Sequence, residues 1–486
     1  MQKYCVIAAA SLFAVSASAQ DDPPKNAPPA HPAEAVSQDR LRSDVETLVG
    51  FGTRHTLSSQ DHPSRGIGAA LRWGADQFRK ASEACGNCLE VVTPERIVQG
   101  RRIPEPTRLI NVVAIQRGTQ RPDEVVIIQG HIDSRGTDVS DFTVDAPGAN
   151  DDASGTALSI EAARVLSQRQ YPSTIVYALL SGEEQGLYGG RLMAEYAEAQ
   201  GWTVKAVLNN DIVGSSCGSD GYCDAEHIRV FSEGPRADLT DTVRSAQRRD
   251  GGENDSPSRN LSRWLDILAD DNPQGLDVRQ IWRTDRMGRG GDQIPFVEKG
   301  YPAIRFSVAV EDYEHQHQDL RVEGGVTYGD TVDEMDFPYL AKAAQLNVRA
   351  AHILAQAPMP PAVSKKAAVR TSTELKWAPV AGAAQYRIWQ RRPDEPYWRD
   401  EPVLVISAAN SPAGKLSANV TAQRTGDAAP VVTADTAGFT VDLTGIRGDD
   451  WIFGISAVSA NGASGPVSSA VPGGAFTPIE DQPAAE

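Results

Sequence analysis

Between residues 38 and 357, strand-like runs rich in β-branched residues alternate with stretches whose apolar residues recur at helical spacing. Predicted strands cover 111–116, 124–129, 174–180, 204–208 and 302–308. Predicted helices cover 153–168, 187–199 and 337–356. Strands that alternate with helices favour a mostly parallel sheet flanked by helices, so we expect an α/β domain over 38–357. The polar stretch 215–290 is expected to form an insertion over this sheet.

The pattern changes after this region. Pro-Met-Pro-Pro at 358–361 predicts a hinge. Beyond it, apolar residues alternate with polar ones at a period of two, as at Phe439, Val441 and Leu443. We therefore predict a second domain, a small all-β sandwich, over 366–474.

The first nineteen residues predict a signal peptide (1–19). Lys3 gives a positive start, residues 5–15 are apolar, and 17–19 form a small-residue cleavage site. The apolar run is shorter than the roughly 20 residues that a transmembrane helix needs, and no later stretch reaches that length. Residues 20–37 are proline-rich and predict a linker. We expect an exported protein, secreted or periplasmic, with no membrane span.

Composition narrows the class of protein further. The chain has 486 residues, of which 40% are hydrophobic and 23% charged, as is typical of globular proteins. Its 64 Asp and Glu residues outnumber 47 Lys and Arg residues, which gives a net charge of −17. Because sequence-independent nucleic-acid binding needs cationic side chains that neutralise phosphates, this balance argues against nucleic acid as a partner.

Four cysteines follow the predicted signal peptide as two close pairs, Cys85 with Cys88 and Cys217 with Cys223. In an oxidising compartment we expect local disulfides, although four cysteines allow three pairings. Cys85-Gly-Asn-Cys88 is also compatible with a redox motif or with half of a zinc knuckle. A redox motif needs a thioredoxin-like context and a knuckle needs a second pair nearby, and the sequence provides neither.

Five acidic or histidine-bearing motifs follow predicted strands or lie at turns, where open α/β sheets place their ligands. The first is Gly-His131-Ile-Asp133. Residues i and i+2 of an extended segment face the same side, so the Asp133 carboxylate can approach the His131 ring and orient it for metal binding. Taken alone, His-x-Asp is a weak signal.

The second and third motifs concentrate carboxylates. Asp151 and Asp152, in Asn-Asp-Asp, open a predicted helix. An N-cap needs only one of them, and a carboxylate with two oxygens can bridge two cations. Glu183 and Glu184 follow a predicted strand. Because neighbouring side chains diverge in extended backbone, one can bind metal while the other takes a proton from water.

The fourth motif is Asn-Asn-Asp211, and the fifth is the segment 313–319, which contains His315 and His317. In chain order the five motifs supply His, Asp, Glu, Asp and His, a set of nitrogen and oxygen ligands that suits Zn²⁺. With one carboxylate shared between two ions, they predict a two-metal hydrolytic site.

The order and local contexts of these motifs resemble the secreted co-catalytic dizinc aminopeptidase family, over about residues 40–357. Its superfamily, the zinc exopeptidases, also contains glutamate carboxypeptidases and glutaminyl cyclases. The resemblance implies a zinc exopeptidase-like fold, two zinc ions, and peptide substrates with free N-termini. Residues 366–474 resemble a fibronectin type III-like module through Trp377, Tyr386 and Trp451.

The resemblance also implies site residues. Five residues match metal ligands: His131, Asp151, Glu184, Asp211 and His317. Asp151 matches the bridging carboxylate, Asp211 the ligand beside His131, and Glu184 the ligand beside the last histidine. Two further residues match catalytic roles, Glu183 as the general base and Asp133 as the partner of His131. In similar proteins the Asp151–Asp152 peptide is often cis.

Two departures from the family pattern leave positions open. The last ligand is His315 by its His-x-x-x-Asp spacing to Asp319, or His317 by the His-Gln of similar secreted members; we prefer His317. Where the family often has Ser-Asp-His, this chain has Gly-Asp-Gln293, so no role is carried over to Gln293.

The sequence hypothesis is a zinc-dependent aminopeptidase in which Glu183 takes a proton from a dizinc-activated water. A zinc carboxypeptidase would need an arginine for the terminal carboxylate, and Arg286, Arg289 and Arg305 lie near the motifs. A glutaminyl-cyclase-like acyltransferase generally works with one zinc, whereas this ligand set favours two. The non-enzyme alternative is an inactive binding protein, against which the intact Glu183 and ligand set argue.

Overall fold

The computed structural model describes residues 31–407, 431–435 and 438–479. The predicted signal peptide (1–19) and most of the predicted linker lie outside the described residues. The end of that linker differs from the prediction, because Pro32–Ala35 form a short 3₁₀ helix. Pro32 and Ala33 bury apolar surface, and Ala33 belongs to the main core. This segment is therefore part of the packed domain.

The first half of the chain contains the following elements: α1 (Gln38–Val49), α2 (Ile67–Ala84), β1 (Glu90–Val92), β2 (Glu95–Gly100), β3 (Ile103–Ile110), β4 (Val112–Gln116), β5 (Arg121–His131), α3 (Ala153–Leu166), β6 (Ser173–Leu180), α4 (Tyr188–Ala199) and β7 (Thr203–Asn210). The next region contains β8 (His227–Phe231), α5 (Asp241–Asp250), α6 (Pro257–Asp270), β9 (Asp277–Ile281), α7 (Ile294–Glu298), β10 (Ala303–Val308), β11 (Arg321–Glu323), β12 (Val326–Tyr328) and α8 (Phe337–Gln356). All predicted strands and helices over 38–357 occur, with shifts of a few residues at their ends.

An eight-stranded mixed sheet organises this domain, in the order β1-β4-β6-β5-β7-β10-β8-β9. Its four central strands, β6, β5, β7 and β10, are parallel. β4 and β1 extend the sheet antiparallel on one side, and on the other β8 pairs antiparallel with β10 and parallel with β9. The predicted α/β fold is confirmed, with the parallel arrangement concentrated at the centre.

Helices cover both faces of the sheet. One core contains residues of α1, α2, α3 and α8, and the other contains residues of α4 and α7. Strand β6 is buried along its whole length, as expected for a strand packed on both faces. Buried central strands explain why their sequences read as continuous apolar runs.

The region 215–290 differs from its prediction. It adds two strands to the sheet, β8 and β9, instead of lying over it. In β8, Ile228 and Val230 are buried while His227 and Arg229 are half-buried. A five-residue strand with this alternation carries a weak sequence signal, which explains the error.

Among the described residues beyond 360, the strands form two four-stranded antiparallel sheets. Their strands are β13 (Val363–Lys366), β14 (Thr373–Trp377), β15 (Gln385–Arg391), β16 (Leu404–Ser407), β17 (Val431–Asp435), β18 (Gly438–Leu443), β19 (Ile452–Val458) and β20 (Ser468–Ser469). One sheet has the order β13-β14-β18-β17 and the other β16-β15-β19-β20. They share a core in which the Trp377 and Phe439 rings stack with centroids 5.3 Å apart and Tyr386 packs beside them. The predicted β-sandwich is confirmed.

Both predicted local disulfides are present, Cys85–Cys88 and Cys217–Cys223. The Cys85–Cys88 disulfide leaves neither thiolate free to bind zinc, which argues against a zinc knuckle. Cys85 follows the end of α2 instead of opening a helix, which argues against a thioredoxin-like redox motif. Among the described helices, none combines the length and the apolar character that crossing a membrane requires.

Candidate metal centre

The central strands deliver the predicted site residues to one edge of the sheet. β5 ends at His131, and the turn that carries Glu183 and Glu184 follows β6. Asp211 follows β7. Because the carboxyl ends of parallel strands lie at the same edge, these side chains converge there.

The turn before α3 brings Asp151 to the same edge. Asp152 caps the helix, since its Oδ1 accepts the Gly155 N–H at 2.9 Å, and its Oδ2 accepts the His131 N–H at 3.0 Å. The N–H groups of Asn150 and Asp151 donate to the two carboxylate oxygens of Asp330. The Asp151–Asp152 peptide is cis, as the family resemblance implies.

Asp151 lies between two groups of potential metal ligands. Its Oδ1 is 3.1 Å from Nε2 of His131, which is 3.9 Å from Oδ1 of Asp211. Its Oδ2 is 2.9 Å from Nε2 of His317, which is 3.0 Å from Oε1 of Glu184. Each group has its ligand atoms within 4.8 Å of one another. All five predicted ligands are thus together, with Asp151 common to both groups.

The second candidate for the last ligand, His315, lies elsewhere. Its ring contacts the carboxylates of Asp312 and Glu334, at 2.9 and 3.4 Å. His317, two residues further along, is the histidine beside Asp151 and Glu184.

Asp133 is fully buried behind His131. The Nδ1 atom of His131 lies 3.0 Å from the Asp133 carbonyl oxygen and 3.6 Å from its carboxylate. The Asp133 carboxylate accepts the N–H groups of Glu183 and Glu184 at 3.3 and 3.2 Å, and the Thr56 hydroxyl at 3.2 Å. Asp133 therefore connects the His131 ring to the turn that carries both glutamates.

Glu183 lines the cleft beside the two ligand groups and belongs to neither. Burial raises the pKa of its carboxyl group well above the ordinary value, and the nearby charges of Asp211 and Glu184 add to this effect. A carboxylate whose pKa is raised holds a proton more readily and is a better base.

The cleft above these residues has a volume of about 280 Å³. Its charged lining residues are Arg102, Arg135, Asp151, Glu183, Glu184, Asp211, Arg286, Arg289 and His317. Leu187 and several glycines complete the wall.

Comparison with known proteins identifies the family of this domain. The model of peptidase family M28 matches residues 111–323, which include all the residues of the two ligand groups. A probable zinc metalloprotease of Leptosphaeria maculans is 44% identical over 370 residues, 75% of this chain and 86% of the relative. The chain belongs to peptidase family M28. A probable zinc metalloprotease of Pyricularia oryzae is 40% identical over 448 residues, 90% of this chain and 83% of the relative.

Among solved structures, the Legionella pneumophila LapA aminopeptidase aligns with a TM-score of 0.49 and 19% identity, covering 67% of this chain and 74% of that chain. The family resemblance seen in the sequence is confirmed, at the level of peptidase family M28, by the family match and by the identity to zinc metalloproteases.

The charge distribution of this M28 site fits divalent cations. Burial opposes ionisation of Asp211, but Arg305 and His131 outweigh it and lower its pKa to about 2. For His317 burial lowers the pKa, but the carboxylates of Glu184 and Asp151 outweigh this effect and raise the pKa to about 9. Surroundings that stabilise a cationic imidazole also stabilise a metal cation at the same Nε2 atom. The donor set, two imidazoles and three carboxylates, suits zinc.

Two arginines support the ligands of this M28 domain in a way that the sequence interpretation did not predict. Arg135 donates from Nε to Glu184 Oε2 at 2.9 Å, and its Nη2 lies 2.7 Å from Nδ1 of His317. Arg305 is fully buried and donates to Asp211 Oδ1 at 2.7 Å and to Asp285. A charged residue inside the apolar run at 302–308 is the signal that could have identified such a buried pair.

The contacts of Arg305 do not support the binding of a substrate carboxylate. It supports Asp211 from behind and is not among the residues that line the cleft. Gln293 is also occupied, since it donates to Asp285 Oδ2 at 2.6 Å and its Oε1 accepts from Asn209 at 3.4 Å.

Proposed function

We propose that this M28 peptidase is a zinc-dependent aminopeptidase that removes N-terminal residues from peptides. The observation that carries the proposal is the position of Asp151, which has one oxygen toward His131 and the other toward His317. His131, Asp151 and Asp211 would hold one zinc ion, and Asp151, Glu184 and His317 would hold a second. Bound zinc would supply a Lewis acid for the scissile carbonyl and a lower pKa for a bound water.

The side chains of the protein carry out the proton transfers and the positioning. Glu183 accepts a proton from the attacking water while the water oxygen bonds to the scissile carbonyl carbon. Glu183 then delivers that proton to the leaving amine nitrogen as the carbon–nitrogen bond breaks. Asp133 acts as a positioning residue, because it contacts both the His131 ring and the backbone N–H of Glu183.

The size of the cleft supports action at a chain end. A volume of about 280 Å³ suits one or two residues. The N-terminal amine of a peptide lies two bonds from the scissile carbonyl carbon, so it would enter the carboxylate-rich surroundings of Asp151 and Asp211. Arg305 is paired with Asp211 and lies outside the cleft lining, and Arg286 and Arg289 share the Glu311 carboxylate. All three arginines that a carboxypeptidase could use therefore already have a carboxylate partner, which weakens that alternative.

The location of the protein is part of the proposal. Two disulfides support folding in an oxidising compartment, as expected for a secreted or periplasmic protein.

The proposal is tested with purified protein and matched peptides that have free or acetylated N-termini, each with and without a chelator. We expect release of N-terminal residues from the free-amine peptides alone, loss of activity with chelator, and recovery with Zn²⁺. Release from the carboxyl end of both peptides would identify a carboxypeptidase. If neither peptide is cleaved, cyclisation of an N-terminal glutamine would identify an acyltransferase, and its absence an inactive binding protein.

A further inference from the structure

The charged residues that line the cleft fall into two groups according to the sign of their charge. The four carboxylates are three candidate metal ligands, Asp151, Glu184 and Asp211, and the candidate base Glu183. The other charged lining residues, apart from His317, are arginines: Arg102, Arg135, Arg286 and Arg289. Because Arg135 is paired with Glu184, the three remaining arginines determine the charge that the walls present to a substrate.

Two of these arginines come from the segment between β9 and α7. Arg286 and Arg289 both contact Glu311 Oε2, at 3.2 and 2.7 Å. Arg229 contacts the other oxygen of the same carboxylate at 2.6 Å. The Glu311 carboxylate is thus shared by three guanidinium groups. Arg286 has a second partner in Asp285, whereas Arg289 is 31% exposed.

The third arginine comes from a different element. Arg102 lies in the turn between β2 and β3, and this hairpin packs on α4 through Leu192 and Tyr188. Its Nη1 donates to the backbone carbonyl of Glu184 at 2.8 Å. Among the described residues, no carboxylate forms an ion pair with Arg102, and its side chain is half-buried at the cleft.

These contacts leave a surplus of positive charge beside the metal centre. A guanidinium group presents a planar fork of donors that matches a carboxylate, and a partly desolvated cleft strengthens that contact. The backbone contact of Arg102 with Glu184, itself a candidate ligand, keeps the guanidinium close to the reacting bond. A lysine or arginine side chain in the substrate would be repelled there.

We propose that the preferred substrates carry a carboxylate next to the scissile bond and that Arg102 and Arg289 bind it. This inference rests on the proposed peptidase function and specifies its substrate class. The carboxylate has two sources, an Asp or Glu side chain of the terminal residue or the α-carboxylate of a dipeptide. Both offer the same planar anion to the arginines.

Two pairs of substrates distinguish these sources with the zinc-loaded protein. Glu-Ala-amide against Gln-Ala-amide varies only the side-chain charge, and Ala-Ala against Ala-Ala-amide varies only the terminal charge. We expect kcat/KM to be at least about tenfold higher for the charged member of one pair, which corresponds to about 1.4 kcal/mol. Ratios near one in both pairs, with the neutral peptides cleaved, would overturn the inference and leave the peptidase function standing.

Matched variants test the residues. Arg102→Gln and Arg289→Gln should each bring the larger ratio toward one. Arg117→Gln is the control, because Arg117 is exposed, pairs with Glu90 and does not line the cleft. If the ratio survives both cleft substitutions, the assignment to these arginines is wrong.

A binding measurement keeps the inference testable if no peptide is cleaved. Titration calorimetry of the zinc-loaded protein compares L-glutamate with L-glutamine, and Ala-Ala with Ala-Ala-amide. Tighter binding of a charged member, lost in Arg102→Gln, would support the carboxylate site even though the peptidase function had failed. Equal binding within both pairs would overturn the inference.

Discussion

Arg391 and Asp255 form a buried ion pair that joins the two domains. The Arg391 Nη2 atom lies 2.7 Å from each carboxylate oxygen of Asp255, and both side chains are 2% exposed. Asp255 precedes α6 in the M28 domain, and Arg391 ends strand β15 of the sandwich. Further contacts surround the pair: Asn260 with Ser469, Arg263 with Pro396, Trp264 with Ser464 and Gln247 with Pro472. The sandwich is therefore packed on the M28 domain by specific polar contacts.

Removal of Arg391 should destabilise the protein strongly. In Arg391→Ala the Asp255 carboxylate stays buried without its main cation, and breaking a buried pair typically costs about 3–5 kcal/mol. The free energy of unfolding, measured by denaturant titration, should fall by about this amount. Arg117→Ala is the control, since its exposed pair with Glu90 is expected to contribute about 0–1 kcal/mol. Equal effects of the two substitutions would contradict a structural role for the buried pair.

Substitution of Glu183 should separate catalysis from metal binding. Gln has almost the same shape as Glu but cannot accept the proton of water, so Glu183→Gln should lower kcat by about 10²–10⁴-fold. Zinc content should be unchanged, because Glu183 lies outside both ligand groups. Both quantities are read from the same preparation, by peptide hydrolysis and by metal analysis.

The matched control for that prediction is Glu198→Gln, since the Glu198 side chain is 62% exposed and does not line the cleft. It should retain the wild-type rate. A Glu183→Gln protein that keeps both its zinc and its turnover would show that another group acts as the base.

The shared position of Asp151 predicts unequal effects on metal content. Asp151→Ala removes a ligand from both groups and should weaken the binding of both zinc ions, whereas Asp211→Ala removes a ligand from one group. After dialysis against dilute chelator, we expect fewer bound zinc ions per chain in Asp151→Ala than in Asp211→Ala. Asp123→Ala, at an exposed position of β5, should match the wild type. Two zinc ions retained by Asp151→Ala would contradict a bridging role.

Local rules explain how the sequence predicted which residues lie together at the candidate site. β-branched runs predicted the central strands, and their carboxyl ends carry His131, Glu184 and Asp211 because parallel strands end at one edge. The pair His131 and Asp133 followed from the two-residue period of extended backbone, which places both on one side.

Contacts between residues far apart in the chain determine which histidine of the loop joins the ligand group. His315 and His317 lie in one loop, and their positions depend on contacts with the segment after β5. There the Thr137 N–H donates to Asp319 Oδ1 at 2.9 Å, and Arg135 lies beside the His317 ring. These contacts join residues 182 positions apart, so no local pattern encodes them. The same holds for Arg305 and Asp211, which are 94 positions apart.

Glu233 should make the stability of the protein depend on pH. It lies just after β8, 4% exposed, and its Oε2 accepts the Ala237 N–H at 3.0 Å. Burial raises its pKa from the ordinary 4.5 to about 8. Between these values the folded chain binds a proton that the unfolded chain releases. The free energy of unfolding therefore falls as the pH rises from about 4.5 to about 8, by an amount on the order of a few kcal/mol.

Glu233→Gln should remove this dependence, because Gln is neutral at every pH and its amide oxygen can still accept the Ala237 N–H. We expect the variant to match the wild type near pH 4.5 and to be more stable near pH 8.5, as measured by denaturant unfolding at a series of pH values. Glu226→Gln, at an exposed position nearby in the chain, should leave the wild-type curve unchanged. Parallel curves for wild type and Glu233→Gln over this range would mean that Glu233 is already ionised in the folded protein at pH 5.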